Sequence, residues 1–548
     1  MTAYYCDLAQ PYADSANVGD TTGNPHKGVG GLLAAIYGIG TADKLAAGDI
    51  LYVKGSGSIQ LVLRVGYDGS GGGQEAPGAA VTFTAGGVTV ATGTLVYDDN
   101  DGLGAGELYL EITSGWPFDN DTTNLGGGHT VLGGAAVTPH CVPISTTWPE
   151  NNLLACNSGT TAAEIAIVGV DSDWSIPAPA DYTDRANATL NANNEQIPDV
   201  VLVTGGKDIT AWSRGDLVSD DGAGGTDWAG YVLEVNKGGT AKIWVRLTLG
   251  QVENVDSGDT MTNETAADST TLAADADAVD LAQCVNVIQR SVADGWRLAN
   301  MTLQGASAVG VTAGSSAVDR WCFDHVHITT CGSHGIDGYR DGYPTFLFCE
   351  IDTCGGAGLY FSGAYAVIVG CIFHDMTSYG VYTYYHSTIY RCLFYDNGND
   401  DIFMAYANLH VIGNTFDGNT GGSGVFVNTN ISDLRAIWNR FTRANQYGIE
   451  QNSAGFFSNR QDHNLTYLNG VAATKNIAAG PNNIAAAADG YTNRAGKNYT
   501  LTSSAEGRRV LKALNSLNTL YMTMGQPPTD TGGGGGGGGS LVDGGLVR

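Results

Sequence analysis

The sequence predicts an all-β fold, a right-handed parallel β-helix, and three observations support this prediction. Residues 326–449 contain a repeat with a period of 21–25 residues. Each repeat holds matching residue types at matching positions. The 548 residues also include 79 glycines and 26 tyrosines without a collagen-like period, which is typical of many strands and turns. Repeats of this length indicate stacked supersecondary units, each one coil of a solenoid.

The repeat aligns six segments, whose starts lie 23, 22, 21, 22 and 25 residues apart. The segments begin at Val326, Cys349, Cys371, Cys392, Asn414 and Asn439. Two residues later each has an apolar residue: Ile328, Ile351, Phe373, Phe394, Phe416 and Phe441. Strands of neighbouring coils lie about 4.8 Å apart, so equivalent residues form a column along the solenoid axis. We therefore predict inward apolar columns and a stacked Cys/Asn column at a turn.

The chain divides into five predicted regions. These are an N-terminal cap and first coil (1–60), an irregular β region (61–284), the parallel β-helix (285–500), a capping helix (501–525) and a glycine-rich linker with a terminal peptide (526–548). Residues 28–47 predict one or two short helices that cover the end of the core, and residues 48–55 predict the first strand. Eight consecutive glycines at 532–539 indicate a linker.

The irregular region contains two related hairpin modules. Residues 91–98 and 106–115 resemble residues 228–235 and 241–250. In each module apolar and polar residues alternate, which predicts half-buried antiparallel strands.

The aligned columns resemble the right-handed β-helix of pectate lyases and phage tailspikes, and the hairpin modules resemble ones found in phage capsid and tail proteins. The resemblance implies a structural or adhesive phage virion protein of the tailspike, fibre or capsid-decoration type. It also implies a homotrimer, with other virion proteins and host surface polysaccharide as partners. The alternative is a polysaccharide lyase or glycoside hydrolase. Polygalacturonase motifs are out of order here, since SHG at 333–335 precedes NDD at 399–401, so that resemblance supplies no catalytic residues.

Charge and hydropathy limit the other classes of function. The formal net charge of −29 disfavours binding to a phosphate backbone, so we expect no nucleic-acid partner. The N-terminus has no basic segment followed by an apolar one, and we expect synthesis in a host cytoplasm and a place on the virion. No apolar run approaches the roughly 18 residues of a membrane span.

Two aspartates are the candidate catalytic residues. Asp375 and Asp396 occupy the same turn column in neighbouring coils, with Asp352 and Asp417 one position earlier in theirs. Stacking places the first two about 5 Å apart, which suits a retaining glycosidase pair. A calcium ion is the one cofactor such a column could hold, if more oxygens join. The alternative is that turns favour Asp for backbone reasons.

We predict no transition-metal site. Cys322, His325, His327, Cys331 and His334 are close in sequence, and strand alternation places His325 and His327 on one outer face. Four ligands would have to converge from a flat surface, so we expect ordinary surface histidines. We also expect the stacked cysteines to be free, buried thiols.

Four aromatic residues are predicted to form an outward column. They follow the inward apolar residue of each coil, and they are Tyr360, Tyr382, Phe403 and Phe426. Such a stripe could bind sugars, bury against another subunit, or be covered by another part of this chain.

Overall fold

The computed structural model describes residues 2–10, 19, 21–37, 45–58, 62–68, 80–85, 88–98, 105–115, 129–130, 136–140, 158–160, 163–176, 188–192, 196–204, 211–213, 215–220, 228–236, 242–251, 254–273, 275, 277–280, 286–289, 294–312, 320–338, 342–362, 365–406, 408–428, 434–452 and 460–501. Within these ranges the chain forms a parallel β-solenoid of about 11 turns, as predicted. One helix is present there, Gly28–Tyr37, in the segment predicted to cap the N-terminal end. No described helix has both the length and the hydropathy needed to cross a membrane.

Three parallel sheets form the walls of the solenoid. Sheet 1 contains Ala3–Asp7, His26–Lys27, the first half of Ile50–Ser58, Ile165–Gly169, Trp296–Ala299, Cys322–Asp324, Thr345–Leu347, Ala366–Val369, Ser387–Tyr390, Leu409–Ile412, Leu434–Ile437 and Arg460–Asp462. Sheet 2 contains the second half of Ile50–Ser58, Ala188–Asn191, Thr302–Gln304, His327–Thr329, Glu350–Asp352, Ile372–His374, Leu393–Tyr395, Thr415–Asp417, Arg440–Thr442, Leu465–Tyr467 and Ile484–Ala485. Sheet 3 contains Asn286–Gln289, Val309–Thr312, Ile336–Asp337, Leu359–Phe361, Val381–Thr383, Ile402–Met404, Val425–Val427, Tyr447–Gln451 and Ala472–Lys475.

The predicted inward column is the centre of sheet 2. Its members are at most 1% exposed: Ile328, Ile351, Phe373, Phe394, Phe416 and Phe441. Phe394 stacks on Phe373 and on Phe416 with ring centroids 5.0 Å apart in both cases. This spacing follows from the separation of hydrogen-bonded strands, so identical side chains on successive coils pack face to face.

The predicted Cys/Asn column lies at the turn between sheets 1 and 2. The Cys349 amide donates to Cys371 Sγ at 3.4 Å, and the Cys392 amide donates to Asn414 Oδ1 at 2.7 Å. The backbone amide of Asn414 in turn donates to Asn439 Oδ1 at 2.9 Å. Each asparagine thus accepts from the backbone of the preceding coil, which satisfies a buried donor at a turn. The stacking of these cysteines is confirmed, and their thiols are free.

The start of the solenoid differs from the prediction. The segment predicted as the first strand is not the first, because Ala3–Asp7 precedes it and pairs with it in parallel. Strand Ile165–Gly169 pairs with Ile50–Ser58 on one side and with Trp296–Ala299 on the other. A solenoid coil is therefore also present within residues 61–284, which were predicted to be an irregular β region.

Two antiparallel sheets are inserted between these early coils, and they contain both predicted hairpin modules. The first sheet has the strand order Ala80–Ala85, Val88–Asp98, Ala105–Gly115, Val62–Asp68, Ala136–His140 and His129–Thr130. The second has the order Asp268–Thr271, Thr260–Asn263, Leu217–Asp220, Ala229–Asn236, Lys242–Leu249, Gln196–Thr204 and Asp277–Asp280. The second sheet has its own core, which includes Trp212, Trp228 and Met261.

A C-terminal hairpin packs on the outer surface of sheet 2. Its strands are Tyr491–Asn493 and Asn498–Leu501. Tyr491 and Tyr499 are buried against Leu393 and Tyr395. The predicted capping helix and the glycine-rich tail lie outside the described residues.

Candidate functional site

The outer surface of sheet 2 brings together polar residues from three successive coils. In each three-residue strand the middle side chain points into the core, so the two flanking side chains face outward. The two outward columns contain His327, Glu350, Ile372 and Leu393 in one, and Thr329, Asp352, His374, Tyr395 and Asp417 in the other. Glu350, Asp352 and His374 each place one potential ligand atom within 4.8 Å of the others.

His374 is at the centre of this group. Its Nε2 lies 3.3 Å from Glu350 Oε1 and 3.9 Å from Asp352 Oδ2, and its Nδ1 lies 2.7 Å from Asp375 Oδ2. The ring stacks on Tyr395 with centroids 4.5 Å apart. Burial lowers the pKa of His374, but the hydrogen bonds to Glu350 and Asp375 outweigh burial and raise it overall. The imidazole is therefore held in one orientation by carboxylates on both nitrogens.

Asp352 is held by three side chains. His327 Nε2 lies 2.5 Å from its Oδ2, while the Thr329 and Thr353 hydroxyls donate to its Oδ1 at 2.5 and 2.7 Å. Burial raises the pKa of Asp352, but these hydrogen bonds stabilise the ionised form and bring it down to about 2. The carboxylate is ionised over the physiological pH range.

Asp375 and Asp396 have different partners. Both have a left-handed backbone, with φ of 54° and 53°, in a turn column where Thr353 and Arg443 also have positive φ. Aspartate tolerates this conformation better than most residues. Asp375 binds His374 and belongs to the cluster, whereas Asp396 forms an ion pair with Lys497 of the C-terminal hairpin.

The predicted placement of His325 and His327 on one face is wrong. Cys322–Asp324 belongs to sheet 1 and His327–Thr329 to sheet 2, with His325 in the turn between them at a φ of 56°. His325 lies against Asp324 and stacks on Phe348. A turn separates the two histidines, so strand alternation does not relate their side chains.

The predicted aromatic column is on sheet 3. Tyr360, Tyr382, Phe403 and Phe426 are half-buried and stack with centroid separations of 4.6, 4.9 and 5.2 Å. Because each ring covers the face of its neighbour, the column presents mainly ring edges to the outside.

More tyrosines widen this column into a larger surface. We call it the tyrosine surface, and it comprises Tyr360, Tyr379, Tyr382, Tyr384, Tyr385, Phe403, Tyr406 and Phe426. Tyr385 and Tyr406 are 46% and 51% exposed. Burial raises the pKa of Tyr382 to about 12, so its hydroxyl stays protonated at neutral pH.

The sequence pattern does not mark Glu350 or His374 as site residues, and it marks Asp352 only by its place beside the turn column. The signal was available in the predicted register, which assigns Glu350, Asp352 and His374 to adjacent outward positions. It was missed because the outward columns have no repeated residue type.

One family model matches part of this chain. Residues 288–464 match the family model described as a right handed beta helix region. The crystal structure of pectate lyase Pel9A is similar at 10% identity, covering 92% of this chain and 90% of that one, with a TM-score of 0.37.

Two other solved structures are similar in the same way. One is a glycoside hydrolase (9% identity, 88% and 96% coverage, TM-score 0.37), and the other is XylC in complex with xylose (8% identity, 87% and 86% coverage, TM-score 0.30). No curated protein matches the sequence. At these identities and TM-scores the likeness carries no argument about what this chain does.

Proposed function

We propose that this chain is an adhesive protein of a phage particle, of the tailspike, fibre or capsid-decoration type, and that it binds surface polysaccharide through the tyrosine surface. The inserted antiparallel sheets support a place on a phage particle, because they contain the modules that resemble phage proteins. The repeating coils support polysaccharide binding. A polymer running parallel to the axis meets equivalent positions on successive coils, as at Tyr360, Tyr382 and Phe403.

The exposure of the tyrosine surface is the observation that carries this proposal. Tyrosine combines a large apolar ring with a hydroxyl, which suits a partner that has both apolar and hydrogen-bonding surfaces. The stacked column fixes its rings before any ligand arrives, so little side-chain entropy is lost on binding. Tyr385 is tilted by 47° from Tyr384 rather than stacked on it, and Tyr385 and Tyr406 are the most exposed members.

Binding to purified bacterial polysaccharides tests the proposal. Preparations of O-chain lipopolysaccharide and of capsular polysaccharide are sedimented with the protein, and the bound fraction is measured. We expect saturable binding to at least one preparation, and the double variant Tyr385→Ala/Tyr406→Ala to bind about tenfold more weakly. Tyr231→Ala is the matched control, because Tyr231 is 47% exposed but lies on an inserted sheet. No binding by the wild type, or an equal loss in the control, contradicts the proposal.

A polysaccharide lyase or glycoside hydrolase is the second candidate. The observation that favours it is the pair Glu350 and Asp352, which lie beside His374 with potential ligand atoms within 4.8 Å. Retaining glycosidases use two carboxyl groups about 5–5.5 Å apart.

Cleavage assays test this second candidate. The same polysaccharides and polygalacturonate are incubated with the protein, and new reducing ends and ultraviolet-absorbing unsaturated products are measured. An enzyme at this site would lose cleavage in Glu350→Gln and keep it in Asp173→Asn, which changes an exposed carboxylate far along the sequence. Absence of cleavage across the panel contradicts the candidate. We predict no rapid cleavage of polygalacturonate.

A further inference from the structure

We propose that Glu350, Asp352 and His374 bind one divalent transition-metal ion, with Zn²⁺ or Mn²⁺ as the best-suited ions. The site is on sheet 2, whereas the tyrosine surface is on sheet 3, so the proposal does not depend on the adhesive function.

The spacing of the three side chains suits a single ion. His374 Nε2 lies 3.3 Å from Glu350 Oε1 and 3.9 Å from Asp352 Oδ2. Two ligand atoms bound at about 2.1 Å to one ion lie about 3.0–3.4 Å apart at ordinary coordination angles. The ligand atoms of all three side chains lie within 4.8 Å of one another, so Glu350 and Asp352 must rotate toward the ion to complete the geometry. The backbone positions are fixed, since the neighbouring inward residues Ile351 and Phe373 are paired in register and fully buried.

The hydrogen bond to Asp375 orients His374 as a ligand. A carboxylate only accepts, so Nδ1, which lies 2.7 Å from Asp375 Oδ2, carries a proton and donates it. In the metal-free protein Nε2 also lies at hydrogen-bonding distance from Glu350 Oε1. A metal ion would take the place of the proton on Nε2, whose lone pair would then point to the ion between Glu350 and Asp352. Metal-binding histidines characteristically donate their other ring nitrogen to a carboxylate in this way.

The residues around Asp352 also resemble the outer shell of a metal site. Thr329 and Thr353 occupy Oδ1 of Asp352, which leaves Oδ2 facing His374 and His327. Outer hydrogen bonds of this kind fix the direction of a ligand carboxylate. Glu350 is half-buried, so an ion can enter from solvent.

The ligand types favour a transition metal over calcium. Calcium takes six to eight oxygen ligands and rarely uses imidazole. One imidazole with two carboxylates suits Zn²⁺, Mn²⁺ and related ions. These three ligands are not the pair Asp375 and Asp396 that the sequence suggested for calcium. Of that pair, Asp375 alone contacts the three ligands.

The competing arrangement is an ion-paired imidazolium with no metal. In that state a second proton on Nε2 takes the place of the cation, and the cluster only joins neighbouring coils. Direct measurement of metal binding distinguishes the two arrangements, because an imidazolium network has no saturable metal affinity.

Calorimetric titration of the full chain, freed of metal with a chelator, tests the proposal with ZnCl₂, MnCl₂ and CaCl₂ as probes. We expect one ion per chain and weaker binding of Ca²⁺ than of Zn²⁺. His374→Ala and Glu350→Gln should each lower the Zn²⁺ affinity by about tenfold or more, and Asp375→Ala should lower it by about 10–100-fold through loss of orientation. Binding of Co²⁺ should give the visible absorption of a site with nitrogen and oxygen ligands.

His463→Ala is the matched control, because His463 also lies beside a carboxylate, at 3.2 Å from Asp462, but outside the cluster. It should bind Zn²⁺ as the wild type does. Circular dichroism spectra show whether each variant is folded. No saturable one-to-one binding, or unchanged binding in both His374→Ala and Glu350→Gln, overturns the proposal. Polysaccharide binding is measured separately on the chelated protein, so failure of one proposal is distinguishable from failure of the other.

Discussion

Asp401 stands where most coils have a glycine, and it is almost fully buried. Asn397 Nδ2 donates to its Oδ1 at 2.8 Å, and Asn419 Nδ2 lies 3.3 Å from its Oδ2. Burial nevertheless raises the pKa of Asp401 to about 8. The side chain is therefore protonated in the folded protein at pH values where it is ionised in the unfolded chain.

This difference makes stability depend on pH. The contribution of Asp401 is fully present below its unfolded pKa of about 4 and is lost as the pH rises through its folded value. We expect the free energy of unfolding of Asp401→Asn to fall less than that of the wild type between about pH 4 and about pH 8. Urea unfolding at a series of pH values measures this, with Asp173→Asn as the exposed control. Parallel curves for wild type and Asp401→Asn would show that the carboxyl is not perturbed.

The inward column predicts a large cost for removing one of its rings. Phe394 is fully buried between Phe373 and Phe416, so Phe394→Ala leaves a cavity and should lower the free energy of unfolding by about 3–5 kcal/mol. Phe403→Ala is the control, because the outward ring of Phe403 on the following strand is only half-buried. Its removal should lower the free energy of unfolding by less. Chemical denaturation measures both. Equal losses would contradict the assignment of inward and outward columns.

The inward residues could be predicted from the sequence because each coil needs an apolar side chain at the same buried position. Phe373, Phe394 and Phe416 occupy one environment, so their residue type recurs at the coil period. The site residues Asp352, His374 and Tyr395 also share a column, but their unlike chemistry leaves no repeated residue type to mark it, so the register alone indicates them. Only a register accurate to one residue places them together.

At the scale of elements, the C-terminal hairpin shows what local patterns cannot predict. Its residues Arg494 and Lys497 pair with Asp417 and Asp396, which lie 77 and 101 positions earlier in the chain. No periodicity connects such residues. The coil strand Ile165–Gly169 is not predicted for a related reason, since an inserted sheet separates it from Ile50–Ser58 and interrupts the repeat.

The two ion pairs of the hairpin should differ in strength. The Asp417 side chain is 0% exposed and the Asp396 side chain is 35% exposed. Arg494→Ala removes one cation from a buried carboxylate that Arg443 and Thr442 also contact, so it should destabilise the fold by about 2–3 kcal/mol. Lys497→Ala breaks a solvated pair and should cost about 0–1 kcal/mol. Thermal and urea unfolding compare them, and a larger effect for Lys497→Ala would show that the hairpin packs differently.

At the scale of the whole molecule, the tyrosine surface raises the question of assembly. The resemblance to tailspikes implies a closed cyclic trimer, and the subunits of that trimer must meet along a face that leaves the tyrosine surface open to polysaccharide. We predict a homotrimer, with a mass three times the 56.9 kDa of the chain, by light scattering at micromolar concentration. A monomer under these conditions contradicts the trimer but leaves polysaccharide binding intact.

Hydroxyl-radical footprinting read by peptide mass spectrometry shows directly whether the tyrosine surface binds polysaccharide. Oxidation of Tyr385, Tyr406 and the control Tyr231 is measured with and without the polysaccharide preparation that sediments with the protein. We predict that the polysaccharide protects Tyr385 and Tyr406 at every protein concentration and leaves Tyr231 unchanged. Protection that depends on protein concentration alone, or protection confined to the outer surface of sheet 2, would contradict the claim.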